Sequence, residues 1–96
     1  MKKIRFGALK AEKLRNDATR GQVGFEDCIL AVQEGRLIDD IPNPNPAFPH
    51  QRLLIFEVKG YIYVAPYVED EENIFLKTVY PSRLYNAIYL KDKSHE

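Results

Sequence analysis

Apolar residues recur at helical intervals in the first third of the chain and alternate with other residues through its second half. Ala11, Leu14 and Ala18 lie among Lys, Glu and Arg, which predicts a helix over residues 8–19. Phe25, Cys28, Ile29 and Val32 form a second apolar helical stripe. Glu26 and Asp27 fall in its first turn, where the helix dipole favours anions, and Gly35 is placed to end it. Gly21 and Gly24 bracket the turn between the two helices. Residues 37–41 suit a short edge strand. Pro42, Pro44, Pro46 and Pro49 then hold the chain in a stiff, extended loop, because each fixes its φ and lacks an N–H.

Three strand-like runs follow, at 52–58, 61–68 and 74–80, rich in β-branched and aromatic residues. Lys59-Gly60 is short enough for a two-residue hairpin turn, and the polar residues 69–73 suit a longer one. Pro66 cannot donate to a ladder, so it requires a bulge or an edge. Pro81 stops the last strand, Ser82 is a preferred N-cap, and Leu84, Ala87 and Ile88 follow at helical spacing. The expected fold is α+β: two N-terminal helices on a four-stranded, mainly antiparallel sheet, with a C-terminal helix from about Ser82.

The hairpins assign faces, because side chains alternate along a strand. With Val58 opposite Tyr61, Phe56 faces Tyr63 and Arg52 faces Tyr67; with Val68 opposite Ile74, Tyr67 faces Phe75 and Ala65 faces Lys77. One face then carries Arg52, Leu54, Phe56, Tyr61, Tyr63, Tyr67, Phe75 and Lys77. The other carries Leu53, Ile55, Ile62, Val64, Val68, Ile74, Leu76 and Thr78, and is the expected seat of the helices. Aromatic rings mixed with cations suit single-stranded RNA, whose bases stack and whose phosphates need positive charge. The alternative is a second, partly wet layer under the C-terminal helix.

Composition narrows the class. Ninety-six residues make one domain over 1–96, and 45% apolar residues are enough for a core. No run is long enough to span a membrane, and no signal peptide opens the chain. Cys28 is the single cysteine, so neither an intramolecular disulfide nor a cysteine-rich metal site is expected, and its place on an apolar face suits a core thiol. These features point to the cytoplasm.

Fourteen basic and fourteen acidic residues cancel, which argues against an indiscriminate polyanion binder. The charges are nevertheless segregated. Lys2, Lys3, Arg5, Lys10, Lys13, Arg15 and Arg20 crowd the start, acidic residues follow, and Glu69-Asp70-Glu71-Glu72 marks one loop. The basic start is either a solvated helix face or an electrostatic rim for RNA or an acidic partner. At the other end, Lys77 and Arg83 flank a strand-to-helix junction, where two fixed cations suit a phosphate.

The order of elements and five motifs resemble the BrnT/RelE-like toxins of bacterial type II toxin–antitoxin systems. The motifs are the runs 20–27, 35–39, Asn43-Pro44-Asn45 with Phe48-Pro49-His50-Gln51, the run 61–68, and Phe75-Leu76-Lys77-Thr78-Val79-Tyr80-Pro81-Ser82-Arg83. The resemblance covers roughly residues 6–90. It implies a RelE-like fold and a small hydrolase, an endoribonuclease that cuts messenger RNA without a metal or other cofactor. It also implies a cognate antitoxin encoded by an adjacent gene, with a homodimer or a toxin–antitoxin complex as the assembly. Related sequences often carry His-Pro-Asn where this chain has Asn43-Pro44-Asn45, which leaves His50 as the histidine for chemistry.

In such a reaction the RNA 2′-OH attacks the adjacent phosphate and expels the 5′-oxygen, which requires a base, an acid and cations. Lys77 and Arg83 are the expected phosphate contacts and Arg52 a second clamp. Tyr67 is expected to stack a base or pass a proton, and His50 to act as base or to be an ordinary loop residue. Tyr63 and Arg20 are the expected further RNA contacts, and His95 in the tail has no expected role. The alternatives are a non-catalytic RNA- or protein-binding module on the same fold, and an interaction protein with no nucleic-acid role.

Overall fold

The computed structural model describes residues 2–16 and 23–90. Along the chain run β1 (Lys3–Arg5), α1 (Ala8–Asn16), α2 (Phe25–Gln33), β2 (Leu37–Pro42), β3 (Arg52–Val58), β4 (Tyr61–Glu69), β5 (Asn73–Leu76), β6 (Tyr80–Pro81) and α3 (Arg83–Leu90). The fold is α+β, with three helices and a six-stranded mixed sheet among the described residues. Strand order is β1-β5-β4-β3-β2, and β6 continues on β4 where β5 leaves off. Among the described strands only the β1–β5 pair is parallel. No described helix is long and apolar enough to cross a membrane.

Local signals account for most boundaries. The Gly24 N–H donates to the Asp27 carboxylate at 2.9 Å and closes the start of α2. Its end is a Schellman motif: Arg36 N–H bonds to the Ala31 carbonyl at 2.7 Å and Gly35 N–H to that of Val32 at 3.3 Å. Gly35 holds φ +72° there, which a residue without Cβ adopts cheaply. Lys59 and Gly60 both have positive φ, 51° and 81°, as a two-residue hairpin turn matching strand twist requires. The predicted β3–β4 register follows, with Val58 opposite Tyr61 and Arg52 opposite Tyr67.

The next hairpin departs from expectation by one residue. Glu69 rather than Val68 pairs with Ile74, and Tyr67 pairs with Leu76. Asp70 tightens the loop: its carboxylate accepts from the Glu72 and Asn73 N–H groups at 2.9 and 2.7 Å, and its own N–H donates to the Asn73 carbonyl at 3.0 Å. One residue of slip exchanges the faces of Ile74 and Leu76 with that of Phe75.

The predicted strand over 74–80 is two strands. Between the pairs Tyr67–Leu76 and Val64–Tyr80, β4 has Ala65 and Pro66, while the opposite chain has Lys77, Thr78 and Val79. That extra residue is a β-bulge. Pro66 lies against it, and its carbonyl accepts the Lys77 N–H at 2.8 Å. The ladder therefore breaks where the missing proline N–H would leave it incomplete.

Both sheet faces are covered, with the helices distributed differently from the predicted arrangement. Leu54, Phe56, Tyr63, Ala65, Tyr67 and Leu76 pack against Ala11 and Leu14 of α1 and Phe25, Cys28 and Ala31 of α2. Leu53, Ile55, Ile62 and Val64 pack against Tyr85, Tyr89 and Leu90 of α3. The N-terminal helices thus lie on the aromatic face, and the aliphatic face belongs to α3. Small residues at Cys28 and Ala31 leave room for the sheet's rings, and the tyrosines of α3 supply bulk over its aliphatic residues. β1 was absent from the predicted elements. Ile4 packs on the α1–α2 core, while Arg5 Nε donates to Asn73 Oδ1 at 2.8 Å and Lys2 pairs with Glu69.

Candidate functional site

A groove of about 580 Å³ opens where the proline-rich loop meets the β5–β6 bulge and the start of α3. The loop is held by its own asparagines. Asn43 N–H bonds to the Gln51 carbonyl at 2.9 Å, Asn43 Oδ1 accepts from Asn45 N–H at 2.9 Å, and Asn45 Oδ1 accepts from Ala47 N–H at 3.0 Å. Asn43 Nδ2 also donates to Gln51 Oε1 at 3.2 Å. On the opposite wall Ser82 caps α3 as expected, its Oγ accepting the Tyr85 N–H at 3.1 Å. The Ser82 N–H bonds to the Ile62 carbonyl at 3.0 Å, and the Ile62 N–H donates to Asn86 Oδ1 at 3.1 Å. These bonds tie the helix start to β4.

The walls combine cations, amides and aromatic rings. Lys10 and Lys77 line the groove with Asn43, Asn45, Gln51, Phe48, Tyr80, Leu84 and Tyr85. Phe48 is 46% exposed, so a ring face is within reach of a ligand. Burial, and next the neighbouring Tyr85, raise the Tyr80 hydroxyl above its ordinary value, so it stays protonated at neutral pH. Among the described residues no group of three His, Cys, Asp or Glu is placed to hold a metal ion.

The predicted site residues separate. Lys77 is exposed and lines the groove. Arg83 is exposed as the first residue of α3 but does not line it, although Ser82 and Leu84 on either side do. His50 is exposed on the loop beside Gln51, also outside the lining. Arg52 forms an ion pair: Nε lies 3.0 Å from Asp40 Oδ1, and Nη2 donates to the Asp40 carbonyl at 2.9 Å. Hydrogen bonding to Asp40, and secondarily to Tyr67, raises its already high pKa. Arg20 and His95 lie outside the described residues.

Two expectations need correction. Tyr67 is 2% exposed and Tyr63 8%, because both rings lie under α1 and α2. Neither offers a face to a base. The Tyr67 hydroxyl donates to both Asp40 oxygens, at 2.7 and 2.8 Å. Burial first, and Asp40 second, raise its pKa well above the usual tyrosine value, so it holds its proton.

Sequence reasoning did not single out Lys10, Phe48, Tyr80 or Tyr85 as site residues. A usable signal existed for Phe48: a lone large apolar ring in a loop rich in prolines and amides has no strand or helix to bury it. For Lys10 the signal was its place in the basic start, read as a possible electrostatic rim; the packing of α1 is what brings it to the groove. No protein-family model, curated protein or solved structure matches this chain.

Proposed function

We propose that the fold is RelE-like and that the protein is the toxin of a bacterial type II toxin–antitoxin pair, taking single-stranded messenger RNA into this groove and cleaving it without a metal ion. The observation that carries the reading is the meeting of Lys10 and Lys77 with Phe48, Tyr80 and Tyr85 in one groove. Rings stack on unpaired bases and lysines hold phosphates, which suits a single strand. The zero net charge argues against indiscriminate binding of polyanions.

In this reading the 2′-OH attacks the neighbouring phosphate and the 5′-oxygen leaves. Lys77 stabilises the charge gathering on the phosphoryl oxygens. The protonated Tyr80 hydroxyl supplies the leaving group's proton, and His50, exposed on the loop outside the groove lining, reaches in as the base. Arg83 acts from the rim. An antitoxin encoded by the neighbouring gene covers the groove until the complex is broken, and a messenger substrate makes the cytoplasm the place of action.

The test is cleavage of unstructured RNA by purified protein in EDTA. Lys77→Ala is expected to lower the rate by about 10²–10³, the usual effect of removing one fixed stabilising donor. Equal rates for parent and variant would remove Lys77 from the chemistry. A second reading, a non-catalytic RNA- or protein-binding module, is favoured by one observation: Asp40 engages both Arg52 and Tyr67, two of the five expected catalytic groups. RNA binding at low salt with no cleavage would select it.

A further inference from the structure

One backbone donor decides what the loop side of the groove offers a ligand. The Asn45 N–H can only donate, so Asn43 must turn its side-chain oxygen toward it, at 2.9 Å. That turns Asn43 Nδ2 toward Gln51. An NH₂ group accepts nothing, so Gln51 must answer with its oxygen, at 3.2 Å. The main chain therefore sets the orientation of the Gln51 amide through Asn43. Gln51 keeps its Nε2 donors for a ligand, since no acceptor among the described residues engages them. Asn45 follows the same pattern, with its oxygen turned to the Ala47 N–H at 3.0 Å. Lys10 and Lys77, which also line the groove, are donors only.

We infer that the groove selects keto nucleobases, uracil and guanine, over the amino bases cytosine and adenine. Gln51 is the specificity-determining residue and Asn43 the residue that positions it. Uracil O4 or guanine O6 accepts from Gln51 Nε2. An amino group at the same place sets donor against donor and leaves both unpaired. This selectivity rests on the groove being an RNA site.

The experiment compares uridine and cytidine oligomers of one length, because the two rings match in size and differ at the keto or amino group and the adjoining N3. Binding to the full-length protein is followed by fluorescence anisotropy at low salt. The parent is expected to favour uridine by about tenfold, within the range for one well-placed base contact. In Asn43→Asp the carboxylate still accepts the Asn45 N–H but can no longer donate to Gln51. The Gln51 amide turns over, its oxygen faces the groove, and the preference shifts to cytidine. Gln51→Glu makes the same reversal without changing the asparagine turn, with weaker binding of both oligomers through charge repulsion. Circular dichroism establishes that each variant is folded. Reversal or loss of the preference in either folded variant supports the inference. Equal binding of the two oligomers by the parent, or an unchanged uridine preference in both variants, overturns it and leaves the RNA reading standing. A parent that binds neither oligomer overturns the RNA reading and this selectivity together.

Discussion

Asp40 receives the Tyr67 hydroxyl on both of its carboxylate oxygens, at 2.7 and 2.8 Å, while Arg52 closes on the same carboxylate at 3.0 Å. One acidic residue on the edge strand β2 thus anchors a tyrosine of the central strand β4 and an arginine of the strand between them. Two side chains that look like RNA contacts along the chain thus share one carboxylate. Tyr67→Phe is expected to cost about 1 kcal/mol, the ordinary net worth of one hydrogen bond, because Asp40 is partly solvated and keeps Arg52. Urea denaturation at neutral pH measures it.

The same contact predicts a response to alkali. The folded protein raises the Tyr67 pKa above its ordinary value of 10. The unfolded chain therefore releases this proton first. The associated stability is complete below about pH 10 and declines as pH rises toward the higher folded value. Tyr63, Tyr80 and Tyr89 are shifted in the same direction, so the parent should lose stability steeply in this range. Tyr67→Phe should lose it less steeply. Parallel curves of unfolding free energy against pH from 9 to 11 would rule out Tyr67 as a contributor.

Cys28 is fully buried against both N-terminal helices and the sheet, and desolvation, with Asp27 adding to it, pushes its pKa up to about 12. Without thiolate at neutral pH it is inert. A disulfide reagent such as Ellman's should label it only at the rate at which the core opens, and quickly in denaturant. Rapid labelling of the native protein would mean that α2 leaves the sheet readily.

The two-sided core predicts similar penalties on both faces. Leu54 lies under α1 and α2, and Ile55, its neighbour on β3, lies under α3. Each is essentially buried, at 3% and 0% exposure, so each truncation to alanine should cost about 2–5 kcal/mol. A much smaller loss at Ile55 would mean that α3 is a loose cover.

Ser82 and Arg83 give contrasting expectations at the start of α3. Ser82→Ala removes the cap on the Tyr85 N–H and should cost about 1 kcal/mol. Arg83→Ala removes an exposed charge outside the groove lining, so under the proposed RNA reading it should weaken RNA binding less than Lys77→Ala. Salt titrations of RNA affinity for the two variants check this order, since a lost phosphate contact reduces the salt dependence. An equal loss in both would place the phosphate path over the rim.

The α+β class was legible in the chain because its signals are local. The stripe at Phe25, Cys28 and Val32, the glycine at 35, the turn at Lys59-Gly60 and the cap at Ser82 each act within a few residues, and the elements follow them. Pro66 likewise announced a bulge or an edge, since no neighbour can supply its missing donor. What local pattern left open was decided by geometry across the fold. Alternation sorts β3 and β4 into two faces but carries no mark of which helix covers which face; the tertiary packing puts α1 and α2 on the aromatic face and α3 on the aliphatic one. The one-residue slip at β5 came from Asp70 tightening its loop, and it moved Leu76 under the N-terminal helices. Lys77 was visible as a cation near a junction, yet only tertiary packing brings it to the same groove as Lys10 and Phe48, while committing Arg52 and Tyr67 to Asp40. Those partners lie far apart in sequence, and a hydrogen bond between distant residues leaves no periodicity to read.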